Sequence, residues 1–128
     1  MEITTNFKKE EFNCKCGCKM PEEVLSNVKL LAVQLQEIRD CLNARIMINS
    51  AYRCVDHNRS IGSNDSSQHI LGKAADIVVG GKKPDEVVES VELMIEEETI
   101  SIRGLGRYDT FTHVDIRDNY ARWDNRSK

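Results

Sequence analysis

The strongest constraint on the fold of this chain is an apolar stripe between residues 24 and 42. Val24, Val28, Leu31, Leu35, Ile38 and Leu42 recur every three to four residues. That spacing aligns side chains along one face of an α-helix. Pro21 precedes the stripe, with Glu22 and Glu23 just behind it. Proline is pre-set for a helix start, and negative charge suits the helix N-terminus. Asn43 is the expected stop. A long helix that is apolar on one face must cover that face with another part of the chain. With 128 residues there is material for one core rather than two, so residues 1–128 are expected to form a single domain.

The remaining pattern supplies the partner for that face. Residues 45–50 read as a short strand, and 51–68 are polar and turn-rich, with Asn58, Gly62, Asn64 and Asp65. Long ordered loops in a compact domain are more often functional than idle. Asp76-Ile-Val-Val-Gly80 reads as a second strand, and Pro84 opens a second helix with Val87, Val88, Val91, Met94 and Ile95 inward. Residues 100–108 and 111–116 read as two strands of an antiparallel hairpin. Upstream, Phe7 and Phe12 flank Lys-Lys-Glu-Glu, the pattern of a short amphipathic turn docking its aromatics on the core. Strands and helices in this order predict an α+β domain.

Bulk properties exclude some partners. A net charge of −3 and a pI near 5.6 leave no basic footprint for nucleic acid. Apolar runs such as Ile77-Val78-Val79 fall far short of the ~20 residues that cross a bilayer. The first residues hold no apolar signal-peptide core, so no secretory signal is expected. A substrate outside a membrane would then require another route of delivery. No apolar stripe remains beyond the core faces, and a monomer is expected.

The five cysteines are an odd count, and nothing indicates a secreted disulfide framework. Cys14, Cys16 and Cys18 cluster, and together with Cys54 they would make a second, structural metal site. Zinc pairs usually have two-residue gaps, whereas these gaps are single residues, which favours reduced or partly paired thiols. Both readings stay open.

Of the three histidines, His57, His69 and His113, the last two sit near carboxylates. Zinc in a three-ligand catalytic site favours imidazole nitrogens with at most one carboxylate. Two neutral imidazoles and one carboxylate leave a net charge of about +1, enough to polarise a carbonyl and bring a bound water's pKa to ~7. His69 and Asp76 cannot share a helical turn. Gly72, Ala74 and Ala75 would let a loop turn back into a strand between them. On spacing alone, His69 can equally be a loop histidine and His113 a hydrogen-bonded strand residue.

Wider motifs add to this. Ser67-x-His69-x-x-Gly72-x-Ala74-x-Asp76 has Ser50-x-x-Arg53 upstream and Phe111-x-His113-x-Asp115-x-Arg117 downstream. Together they resemble the zinc D-Ala-D-Ala carboxypeptidase superfamily, which includes murein endopeptidases, phage endolysins and the zinc domain of hedgehog signalling proteins. Phe12-x-Cys-x-Cys-Gly-Cys, Tyr52-Arg53-Cys54, His57-Asn58, Gly104-x-Gly106-x-Tyr108 and Trp123 extend the likeness to nearly the whole chain. It is similar to the short, single-domain branch. The resemblance implies a small mixed or antiparallel sheet with helices packed on one side and zinc in the cleft.

It also implies roles: His69, Asp76 and His113 as zinc ligands, and Arg53 as the group that binds substrate or the oxyanion. A guanidinium suits this because it donates in a planar fork and stays charged. Ser67 would hydrogen-bond substrate or orient a ligand. Better-known branches carry an acidic residue three positions before the last histidine, where this chain has Thr110. On an extended strand Asp109, His113 and Asp115 would share a face. Asp115 belongs to the His-x-Asp-x-Arg motif of the branch this chain resembles, so the resemblance makes it the first choice of general base and Asp109 the second; Asp115 can alternatively orient His113. The implied reaction is zinc-assisted hydrolysis of an amide in a peptidoglycan stem peptide or cross-bridge. Carboxypeptidase, endopeptidase and phage-lysin variants stay open. A zinc-containing but non-catalytic wall-binding or phage structural module is the alternative.

Overall fold

A computed structural model describes residues 1–127. It starts with a two-stranded antiparallel ribbon, β1 (Glu2–Thr4) and β2 (Phe7–Lys8), followed by a 3-10 turn over Lys9–Phe12. The expected amphipathic turn is thus a hairpin plus a turn, and its purpose holds: Phe7 and Phe12 are both buried, with ring centroids 6.2 Å apart. Then come α1 (Glu22–Leu42), β3 (Ile46–Ser50), α2 (Val55–Ser60), β4 (Ala74–Val79) and α3 (Pro84–Glu96). The chain closes with β5 (Gly104–Arg107), β6 (Thr112–Asp115) and β7 (Ala121–Asp124).

The long helix behaves as its stripe requires. Val24, Val28, Leu31, Leu35 and Ile38 are buried, each large aliphatic side chain worth about 1.5–3 kcal/mol removed from water. Asn43 ends the helix in the left-handed region at φ 47°, its N–H donating back to Arg39 O and Asp40 O. At the start of α3, Pro84 is in the first turn and the Glu86 carboxylate accepts the Lys83 backbone N–H at 2.9 Å. No described helix is long and apolar enough to cross a membrane.

Strands β3 to β7 form one mixed sheet in the order β3-β4-β6-β5-β7, antiparallel throughout except for the parallel β5–β7 pair. The helices pack on one side. Ala75, Ile77 and Val79 of β4 join Leu105, Val114 and the buried residues of α1 and α3 in one core. The register sets what faces the other way. Asp76 lies opposite His113, and His113 opposite Gly106. Because side chains alternate along a strand, Asp76, His113 and Asp115 all project from the face away from the core.

Candidate metal centre and cleft

His69 comes from the turn preceding β4. Its backbone N–H donates to Ser67 Oγ at 3.2 Å, so Ser67 closes that turn. Its Nδ1 sits 2.6 Å from Ala51 O. A carbonyl only accepts, so Nδ1 carries the proton and Nε2 presents its lone pair. That Nε2 lies 3.3 Å from Asp76 Oδ1. His113 is held by the opposite nitrogen. Its Nε2 meets Asp115 Oδ2 at 2.7 Å, which turns Nδ1 toward Asp76 Oδ1 at 3.0 Å.

The three ligand atoms lie within 4.8 Å of one another, and all three residues are buried. Ligands ~2.0–2.1 Å from a shared zinc at tetrahedral angles would be about 3.3 Å apart. The spacings of 3.0 and 3.3 Å therefore fit zinc. Burial pushes the Asp76 carboxyl up, but hydrogen bonds with His113 and His69 outweigh it and hold it well below the usual carboxylate range. Burial likewise lowers His113, and its bonds to Asp115 and Asp76 more than compensate, raising it overall. A buried carboxylate held between two imidazoles is the kind of perturbed cluster that occurs at functional sites.

Around these ligands is a cleft of about 600 Å³, lined by Arg53, Ser67, Tyr108, Phe111, Arg117 and Trp123 among others. Arg53 uses three donors within the protein: Nε to Ser50 Oγ at 3.0 Å, Nη1 to Asn58 Oδ1 at 3.2 Å and Nη2 to Asp76 Oδ2 at 3.3 Å. A guanidinium has five N–H groups, so two are left for a ligand. Asn58, a turn and motif residue to which the sequence alone gave no role, is fully buried and ties Arg53 to Asn64 O at 2.9 Å.

Neither carboxylate expected as a general base reaches the cleft. Asp115 is fully buried behind His113, where Arg117 grips it through Nε at 2.8 Å and Nη2 at 2.7 Å. Burial raises its pKa, but His113 and Arg117 bring it well below the usual range. Its position is the orienting one, on the far side of the imidazole from the ligand cluster. Asp109 is exposed and accepts from Ser127 N at 3.0 Å and Ser127 Oγ at 2.7 Å. The shared-face expectation holds for His113 and Asp115 but fails for Asp109, because β6 begins at Thr112. Residues 108–111 form a bend, and the two-residue period applies only to extended chain. Thr110 is exposed, and His57 lies on α2, away from the cleft lining.

The aromatic wall of the cleft is built from Tyr108, Phe111 and Trp123, motif residues to which the sequence alone gave no role. Trp123 of β7 lies with its ring centroid 4.9 Å from that of His113, its Nε1 donating to Tyr108 Oη at 3.0 Å. Tyr108 stacks on Phe111 at 4.3 Å. Two glycines admit this arrangement. A Cβ on Gly104 would strike the Asp115 carboxylate, and one on Gly106 would strike the Trp123 indole. The Gly-x-Gly-x-Tyr alternation was the available signal, since residues two apart share a face.

Comparison with protein families decides the affiliation: the profile described as Peptidase M15 matches residues 5–115. The chain belongs to the peptidase M15 family. No significant match was found among curated proteins. As an M15 member the chain is a zinc-dependent peptidase, and the match spans every candidate ligand from His69 to His113. Trp123 lies beyond the matched segment, so part of the cleft wall is outside what the profile covers.

Proposed function

We propose that the chain hydrolyses an amide bond in bacterial peptidoglycan peptides, as a D-Ala-D-Ala carboxypeptidase or a cross-link endopeptidase of the phage-lysin type. The convergence of His69 Nε2, Asp76 Oδ1 and His113 Nδ1 at the cleft floor carries this reading. A zinc ion held there would activate water and polarise the scissile carbonyl. Arg53, with two free N–H groups beside Asp76, meets the developing oxyanion or the substrate's terminal carboxylate. Ser67 offers a hydroxyl to the peptide backbone while fixing the turn that carries His69. Asp115, clamped by Arg117, keeps the His113 ring in its ligating orientation. Tyr108, whose hydroxyl accepts from Trp123 Nε1 and lines the cleft, offers a proton donor for the leaving amine. Release of the chain at the wall is assigned to phage machinery or to another route.

One observation favours the non-catalytic alternative, a zinc-containing wall-binding module. Apart from Asp76, no carboxylate lines the cleft among the described residues. Digestion of purified peptidoglycan separates the two, with new amino groups and muropeptide masses as readouts. Hydrolysis abolished by a chelator and by Asp76→Ala supports the enzyme. A zinc-loaded chain that releases no amino groups from any wall type refutes it.

A further inference from the structure

Away from the cleft, four sulfurs converge: those of Cys14, Cys16, Cys18 and Cys54 all lie within 4.8 Å of one another. Cys14 to Cys16 is 3.3 Å, Cys16 to Cys54 is 3.6 Å and Cys14 to Cys54 is 3.9 Å. A disulfide would require ~2.05 Å. Four thiolates ~2.3 Å from a central zinc at tetrahedral angles would be about 3.8 Å apart, close to the 3.3–3.9 Å among Cys14, Cys16 and Cys54, with Cys18 within 4.8 Å of each. We propose that these cysteines bind a second zinc ion, in a closed four-thiolate site that is structural rather than catalytic.

The backbone explains how single-residue gaps achieve this. Gly17 takes φ +86°, and its N–H donates to Cys14 O at 3.0 Å. This folds Cys14, Cys16 and Cys18 around one point. Cys54 arrives from the other side as the N-cap of α2. Two backbone N–H groups aim at the sulfurs, Cys54 N at Cys14 Sγ (3.5 Å) and His57 N at Cys54 Sγ (3.4 Å). Such donors favour thiolate over thiol. On binding, each thiol gives its proton to solvent and its sulfur lone pair to zinc; no oxidant is needed. A complete tetrahedral sulfur set with no open position suits a closed-shell ion that holds structure.

Position gives the site its purpose. Cys54 directly follows Arg53, while the Tyr52 N–H donates to Phe12 O at 3.0 Å. The ion would clamp the N-terminal segment to the loop presenting Arg53, at a place where α2 is too short to stiffen the loop by itself. Cys41, exposed on α1, is outside the cluster.

Elemental analysis of protein purified under reductant without chelator tests this. Two zinc equivalents per chain are expected for the wild type, and one each for Asp76→Ala and for the Cys16→Ser/Cys18→Ser double variant. Because Asp76→Ala lacks the catalytic ligand set, its residual ion reports the thiols alone, whether or not the wild type proves to be an active peptidase. Cobalt-loaded Asp76→Ala should show a thiolate charge-transfer band. Alkylation of the native wild type should modify Cys41 alone, and all five cysteines after chelation and denaturation. A single zinc in the wild type with none in Asp76→Ala, iron in place of zinc, or native alkylation of the four clustered thiols would each overturn the proposal.

Discussion

Replacing Gly104 with alanine tests whether the site depends on a bare backbone beneath Asp115. The added Cβ would meet both carboxylate oxygens inside the 3.0 Å that real Cβ atoms keep. Gly104 pairs with Asp115 across the β5–β6 ladder, so the backbone cannot retreat without breaking the sheet. The carboxylate must yield instead, by roughly an ångström to regain ordinary contact. It is fully buried and accepts from Arg117 Nε, Arg117 Nη2 and the Arg117 backbone N–H, besides holding His113 Nε2. Overpacking costs about 1–3 kcal/mol, and losing one charge-assisted hydrogen bond adds about 1.5–3 kcal/mol. The expected loss is roughly 3–5 kcal/mol, read as a lower urea midpoint with an unchanged slope. Zinc affinity should fall as well, because His113 loses its restraint. A double-mutant cycle isolates the cause. In an Asp115→Ala background, Gly104→Ala should cost less than about 1 kcal/mol, a coupling of roughly 2–4 kcal/mol. If the two changes add within about 0.5 kcal/mol, or Gly104→Ala unfolds at the wild-type midpoint, the close approach is not what fixes that position.

Asp115→Asn should weaken zinc binding about 10–100-fold, measured by competition with a chromophoric chelator; a loss of turnover with full zinc retention would restore Asp115 as the base. Arg53→Lys should keep its zinc but lower kcat/KM by about 10–100-fold, the worth of one hydrogen bond to a charged group; wild-type kinetics on muropeptides would remove Arg53 from the reaction. Phe12→Ala deletes a fully buried ring and should cost about 3–5 kcal/mol, seen in the same urea titration; a cost below about 1 kcal/mol would show that the N-terminal segment is not part of the core. Chelator treatment should lower the melting temperature and added zinc should restore it, since a ligand that binds the folded state stabilises it.

Much of the fold was legible where the hydrophobic period was long. α1 and α3 stand where their stripes and prolines put them, because 13 to 21 residues average out local ambiguity. The short elements were harder to see. α2 is six mostly polar residues capped by a cysteine sulfur, and β7 is four residues on the sheet edge, held by pairing to β5 that only the tertiary fold provides. The ligand trio was legible through motif context rather than spacing. What misled was the assumption that strand periodicity extended back to Asp109, when a bend intervenes. The single-residue gaps gave no sign that the four sulfurs converge, because the left-handed turn at Gly17 that gathers three of them is set by backbone rather than composition.

Trp123 is the only tryptophan in the chain, and its indole stands against both His113 and the Arg117 guanidinium, which is 5.1 Å from the ring centroid. Ultraviolet light absorbed selectively by tryptophan therefore interrogates one place alone. The protein carries its own optical gauge: filling or stripping the ion at His113, or seating a ligand in the cleft, will alter the brightness or colour of that emission with no label attached.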